Sequence, residues 1–251
     1  MQIFRGIDSF TDIGQTTVTV GSFDGVHSGH IALLDLLHSR ALAEGRKSVV
    51  VSFSPHPRIT LGRSEGLQLL TSDQEKAELI ANRGIDALLL IEFTHEFSRL
   101  SYEEFLVEHL QKRVGMAELI AGFNHQMGHN GGGFDKLQRT AQEHNFSISM
   151  AVEHSQAGDK VSSTAIRRLI AQGDIQSANR LLSHPYLIIG SSDNNGQLTI
   201  DQRLKLIPPQ GRYLSEVNGQ RGYITIDGEQ HIWCDEHNKQ LEIKLLGKDE
   251  K

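Results

Sequence analysis

The chain has 251 residues, 38% apolar and 22% charged, which is enough for one large domain, or one domain plus a small appendage, and too apolar for wholesale disorder. Its 25 basic and 31 acidic residues leave a net charge of −6, the wrong sign for a general nucleic-acid binder, which needs a basic footprint. The single cysteine, Cys234, excludes an internal disulfide and a cysteine-based zinc site, and it fits a reducing compartment.

From the N-terminus, Met1 to Asp8 carries no apolar signal core. The longest apolar runs, Val49 to Val51 and Ala87 to Ile91, are far too short to span a bilayer. A cytoplasmic protein without membrane association is the expectation. Thr16 to Val20 is β-branched and reads as a strand. It runs into Gly21-Ser22-Phe23-Asp24-Gly25-Val26-His27-Ser28-Gly29-His30. Ile31, Leu34, Leu37 and Ala41 then recur on one helical face, and Gly45 ends that helix. Ser48 to Phe53 is nearly all apolar, as in a strand covered on both faces. Ser72 or Asp73 caps a helix through Arg83, and Ala87 to Phe93 is a third buried-type strand. Ser101 with Glu104 forms a capping box before a helix carrying Phe105, Leu106 and Leu110. Glu118 to Ala121 and Ser147 to Val152 read as strands, Phe134 to His144 as a helix, and Ser163 to Ala171 and Asp174 to Leu182 as two short helices.

This alternation implies a parallel sheet with right-handed crossovers, an α/β architecture. It stops near His184-Pro185-Tyr186. Beyond that point come Leu198 to Ile200, Arg212 to Val217, Gly222 to Ile226, His231 to Trp233 and Leu241 to Leu245. Turn signals separate them at Asn194-Asn195-Gly196, Asn218-Gly219 and Asp227-Gly228. The expected division is a larger domain over 1–186 and a small antiparallel β unit over 187–251, close to the lower size limit for folding alone.

The segment Gly21 to His30 carries the chemistry. A strand that passes through glycines into a helix N-terminus offers free backbone N–H groups and the positive end of the helix dipole to a phosphate. His27 and His30, three apart at the helix start, can point the same way, and Gly29 between them lets a ligand approach the backbone closely. Spacing alone leaves two surface histidines as an alternative; the strand before and the amphipathic helix after favour phosphate handling. Neither a P-loop string nor a dinucleotide fingerprint is present, so kinase-type P-loop chemistry is not expected of this domain.

Four ordered segments resemble the FMN adenylyltransferase half of the bacterial bifunctional riboflavin kinase/FAD synthetase family, within the nucleotidylyltransferase superfamily. They are Gly21 to His30; Phe53-Ser54-Pro55-His56-Pro57; Gly122-Phe123-Asn124-His125-Gln126-Met127-Gly128-His129-Asn130; and Val161-Ser162-Ser163-Thr164-Ala165-Ile166-Arg167, followed by Gly173-Asp174 and a Pro185-Tyr186 ending. The resemblance implies a Rossmann-like nucleotidylyltransferase sheet and the reaction of ATP with FMN to give FAD and pyrophosphate, with Mg²⁺ accompanying ATP. It implies catalytic roles for His27, His30, Asn124 and Arg167. Gly21, Phe23, Asp24, Gly29, Ser162, Ser163 and Thr164 would contact ATP, and Phe53, Pro55, His56 and Pro57 would lie on the flavin side. His125 and His129, with His144 or His154, suggest a metal site, but no carboxylate-flanked His pair has metal-ligand spacing, so none built from protein side chains is expected. Each residue type also has a plainer role: Ser162 as a helix N-cap, His56 as a shaper of its turn, Arg168 as a surface charge.

Two departures stand out. The family's second central aromatic is Met127 here, and its arginine near Gly131 is missing. The Gly-Phe-Pro-Thr-Ala-Asn string of the riboflavin kinase barrel is absent from Leu187 to Lys251, although Lys205 to Tyr213 faintly resembles a later strand and turn of that barrel. The C-terminal unit is therefore expected to be a shortened relic without riboflavin phosphorylation. Three readings fit the residues: an FMN adenylyltransferase, an adenylyltransferase for another phosphorylated small molecule, and a non-catalytic flavin- or nucleotide-binding paralogue.

Overall fold

The computed structural model describes residues 1–122, 134–151, 155–156, 159–201 and 203–249. Two compact units interleave along the sequence: Met1–Phe23, His30–Gly66 and Leu79–Glu153 form the first, and Asp24–Gly29, Leu67–Glu78 and His154–Lys251 the second.

In the first unit, β1 (Gln2–Arg5), β2 (Thr16–Val20), β3 (Lys47–Ser54), β4 (Ala87–Glu92), β5 (Met116–Ala121) and β6 (Ser147–Met150) form a six-stranded parallel sheet in the order β1-β4-β3-β2-β5-β6. Every residue of β2 is buried, which its β-branched run anticipates. The strand order reverses at β2, between β3 on one side and β5 on the other. In open α/β sheets ligands bind beyond the carboxyl ends of the strands at such a switch point. Gly21 begins there. The apolar core includes Val18, Val49, Leu89, Leu106, Leu119 and Leu137. One charge is buried in the sheet: Glu118 of β5 accepts hydrogen bonds from Arg40 Nη2 at 2.7 Å, Arg46 Nη1 at 3.4 Å and Ser149 Oγ at 3.0 Å.

The helices before β6 are α1 (Ser28–Ala43), α2 (Pro57–Thr60), α3 (Asp73–Ala81), α4 (Tyr102–Glu104), α5 (Lys112–Val114) and α6 (Phe134–His144), of which α3 falls mostly in the second unit. The Ser101–Glu104 capping box is present, and a wider π-helical stretch, Phe105–Gln111, joins α4 to α5. Ser72 and Glu75 make a second reciprocal pair: Ser72 N–H donates to Glu75 Oε2 at 2.7 Å and Glu75 N–H to Ser72 Oγ at 3.2 Å. Sequence pattern misses the edge strand β1, which is short and mostly exposed and pairs only with β4, and it also misses the one-turn helix α2 and the strand Tyr186–Ser192.

The second unit contains the two-residue strands β7 (Ser155–Gln156) and β8 (Asp159–Lys160), then α7 (Ser163–Ala171) and α8 (Ile175–Leu182). Asp174 caps α8 by accepting from Ser177 N–H at 3.0 Å. Six antiparallel strands follow: β9 (Tyr186–Ser192), β10 (Gln197–Thr199), β11 (Gly211–Val217), β12 (Gln220–Ile226), β13 (Ile232–Trp233) and β14 (Gln240–Lys248). They close into a barrel in the order β10-β13-β12-β11-β14-β9. Closure removes the free sheet edges that a unit this small would otherwise expose. Its core holds Tyr186, Ile188, Tyr213, Ile224, Leu241, Ile243 and Leu245, and extends to Leu70, Ile166, Ile170 and Leu182.

Candidate active site

The turn after β2 is backbone under strain. Phe23 (φ 49°) and Val26 (φ 41°) adopt the left-handed region, as does Gly25 (φ 84°). Such a conformation is ordinary for glycine and rare for a β-branched residue, and it persists only where surrounding contacts over-determine it. For Gly25 and Val26 those contacts lie within the second unit, to which both belong. Gly25 N–H donates to Thr71 Oγ1 at 3.1 Å, and His184 Nε2 lies 3.1 Å from Gly25 O. Burial lowers the pKa of His184, against the pull of its carbonyl neighbours. A Cβ on Gly25 would stand 2.7 Å from Leu70 Cδ1.

Asp24 is the hub. It is buried, and its Oδ1 accepts from Leu70 N–H at 2.8 Å, Thr71 N–H at 3.0 Å and Thr71 Oγ1 at 3.3 Å. Its Oδ2 accepts from Arg167 Nη2 at 2.6 Å. Arg167, on the second turn of α7, is further fixed by donating from Nε to Gln68 O at 2.6 Å. Ser163 Oγ donates to Asp24 O at 3.0 Å. Residues 163 and 167 are therefore tied directly to the segment that carries His27, across some 140 residues of sequence. Ser162 is the N-cap of α7, accepting from Ala165 N–H at 3.2 Å; Thr164 and Arg168 are exposed.

His27 and Ser28 are buried at the start of α1. The bare face of Gly29 abuts the His27 ring, whose nearest atoms lie 3.4 Å from where a Cβ would be. On the first unit, Gly21 N–H donates to Val51 O at 3.0 Å, and the Phe23 and His30 rings pack with centroids 5.1 Å apart.

Phe53 ends its strand in a cluster of rings, 5.3 Å from Phe93 and 5.8 Å from Phe97, with Phe105 beyond at 5.5 Å from Phe97. The Ser54–Pro55 peptide is cis. His56 is the N-cap of α2, its Nδ1 accepting from Arg58 N–H at 3.2 Å, and Pro57 opens the helix. Asn124, His125, Met127, His129, Gly131 and His154 lie outside the described residues. Thr71, Gln68 and His184 escape sequence reading. No motif marks them, and only long-range pairing reveals what they do: Thr71 and His184 with 24–26, and Gln68 with Arg167.

A parallel sheet whose switch-point strand feeds a strained glycine turn and a helix N-terminus defines an α/β nucleotide-handling protein. The comparisons specify it further. The sequence profile of the FAD synthetase family matches residues 10–165. A bifunctional riboflavin kinase/FMN adenylyltransferase of Listeria monocytogenes is 33% identical over 256 residues, covering 95% of this chain and 80% of that protein. An FAD synthetase of the same organism is 30% identical over 208 residues, 82% of each chain. The crystal structure of a macrolide-efflux protein from Streptococcus pneumoniae has the same fold, with a TM-score of 0.85 over 99% of this chain and 100% of that one, at 20% identity. The chain belongs to the FAD synthetase family. No helix among the described residues is long and apolar enough to cross a membrane.

Proposed function

We propose that this chain is an FMN adenylyltransferase. A phosphate oxygen of FMN attacks the α-phosphorus of ATP in line, the bond to the β,γ-pyrophosphate breaks, and FAD and pyrophosphate leave. The reaction needs no covalent enzyme intermediate, so the protein's work is positioning and charge stabilisation. The observation that carries this reading is the Ser163–Asp24–Arg167 tie. It fastens a hydroxyl and a guanidinium to the turn that runs into His27 and the helix N-terminus, and these are groups that bind phosphate.

In this reading His27 and His30 contact the triphosphate and stabilise charge moving onto pyrophosphate. The α7 N-terminus binds phosphate oxygens, through the hydroxyls of Ser162 and Thr164 and through the backbone N–H of Ser163, whose hydroxyl proton is given to Asp24 O, and Arg167 clamps one. Asp24 acts through Arg167: both of its oxygens already accept protein donors, so it borders the nucleotide without coordinating it. For the same reason Asp24 is a poor ligand for Mg²⁺. The ion, which screens phosphate charge when bound, fits here as a companion of ATP, with water and phosphate oxygens around it. Asn124 orients the reacting phosphates. Phe53 and the Pro55-His56-Pro57 loop face the flavin, with His56 also capping α2.

Residues 1–186 form the adenylyltransferase domain, and 187–251 are a shortened riboflavin kinase barrel that does not phosphorylate riboflavin. The missing Gly-Phe-Pro-Thr-Ala-Asn string supports this. The test incubates the protein with Mg²⁺, ATP and FMN and follows FAD and pyrophosphate. FAD is expected from FMN and none from riboflavin. No FAD at high enzyme concentration overturns the reading, and FMN made from riboflavin overturns the loss of kinase activity. His30→Ala lowers turnover about a hundredfold if His30 stabilises the leaving charge.

A further inference from the structure

Lys205 lies in the segment before the barrel's third strand, far in sequence from Asp24, Leu70 and Arg167. Its ammonium is buried, with a side chain 1% exposed. It donates to Glu75 Oε2 at 2.7 Å, to Leu187 O at 2.6 Å and to Leu70 O at 2.7 Å, and stands 4.2 Å over the Tyr186 ring. Glu75 is equally enclosed, its other oxygen accepting from Ile189 N–H at 2.9 Å. Backbone pairing runs alongside: Leu69 N–H donates to Leu204 O at 2.7 Å and Leu206 N–H to Leu69 O at 2.8 Å. Leu70 is thus held on both sides of one residue. Its carbonyl accepts from Lys205, and its N–H donates to Asp24, the carboxylate that fixes Arg167.

We propose that Lys205 is a positioning residue for adenylyl transfer: through Leu70 and Asp24 it sets the place of Arg167, so the C-terminal segment is a working part of the adenylyltransferase site. This rests on the function proposed above. A buried ion pair adds little stability over apolar side chains of similar volume. What this one supplies is geometry, because an ammonium with three fixed acceptors specifies where the Leu70 carbonyl must lie. Burial pushes the Lys205 pKa down and Glu75 opposes the shift.

The experiment is a double-mutant cycle on the full chain. Lys205→Met is expected to lower kcat about ten- to a hundredfold in the wild-type background, the scale of a small misplacement of a catalytic group. In the Arg167→Lys background it is expected to lower kcat less than about threefold, because both changes act through one contact. Amide exchange by mass spectrometry supplies a readout free of catalysis: Leu70 and Thr71 are expected to exchange faster in Lys205→Met. Equal factors in the two backgrounds, or near-wild-type kcat in a folded variant, overturn the proposal. If Lys205→Met does not fold, Lys205→Gln takes its place, because two amide donors on a shorter side chain cannot fill the three acceptors at Glu75, Leu187 and Leu70, and it must show the same non-additivity with Arg167→Lys. If the wild type makes no FAD, the adenylyltransferase reading fails. The exchange measurement alone then decides: unchanged protection at Leu70 and Thr71 refutes the link.

Discussion

Replacing Asp24 by asparagine keeps the shape of the hub and changes only its hydrogen-bonding sense. Asp24 accepts three bonds on Oδ1 and one on Oδ2, all from donors. An amide has one accepting atom. If its oxygen faces Leu70 and Thr71, its NH₂ meets Arg167 Nη2 across a 2.6 Å contact, and a charge-assisted bond worth about 1.5–3 kcal/mol becomes a donor–donor clash. If the amide flips, two backbone N–H groups lose their acceptor at about 1–3 kcal/mol each. The first orientation is cheaper, and because the Arg167 side chain is 21% exposed its charge keeps some water. A loss of about 2–3 kcal/mol follows, or a fall in Tm of about 4–12 °C for a chain of this size. Thermal denaturation measures that loss, and chromatographic FAD formation measures function, where turnover falls about a hundredfold once Arg167 is no longer held. A variant that melts within 1 °C of wild type and turns over within twofold would refute the reasoning that Asp24 is the hub.

Gly25→Ala places a Cβ 2.7 Å from Leu70 Cδ1 on a residue with φ 84°. Left-handed strain of about 1–2 kcal/mol and overpacking of about 1–3 kcal/mol add, so the urea midpoint drops and FAD formation falls with it. A second expectation concerns pH. Glu78 hydrogen-bonds to Glu242, and that bond, with burial and the neighbouring negative charge, raises its pKa to about 7, while Glu242 is lowered. A carboxyl raised in the folded state binds its proton more tightly there than in the unfolded chain. Its contribution is complete below about pH 4.5 and is lost as pH rises through about 7. Tm therefore declines between pH 5 and 8 by an amount that Glu78→Gln abolishes; an identical pH profile in the variant contradicts the assignment.

How much of this could be read before the structure depended on the range of the interaction. The Ser101–Glu104 box and the start of α8 at Asp174 lie where the sequence pattern places them, because a cap is a contact across three residues, and helix α6 lies where its pattern places it. The parallel sheet was equally legible from apolar runs. Strand β1 was not, since its pairing with β4 spans more than eighty residues and leaves no local periodicity. The turn at Gly21 to His30 announced itself by its glycines and histidines, yet nothing local distinguishes Asp24 from a surface aspartate. Its partners arrive from 70–71 and 167. Lys205 and Glu75 are more hidden still, for each reads alone as a solvated charge. The plainer alternatives for Ser162 as an N-cap and Arg168 as a surface charge match what the structure shows of them, and His56 does cap its turn.

The order in which residues 24–29, 67–78, 163–167 and 205 occur along the chain bears on biosynthesis. During translation the turn leaves the ribosome early, but its acceptors and donors are not all available until the ribosome has passed Leu206. Until then the segment from Asp24 to Val26 lacks the partners that hold its left-handed turn. A nascent chain stalled before that point would display the nucleotide motif in full and yet lack the shape that gives it meaning.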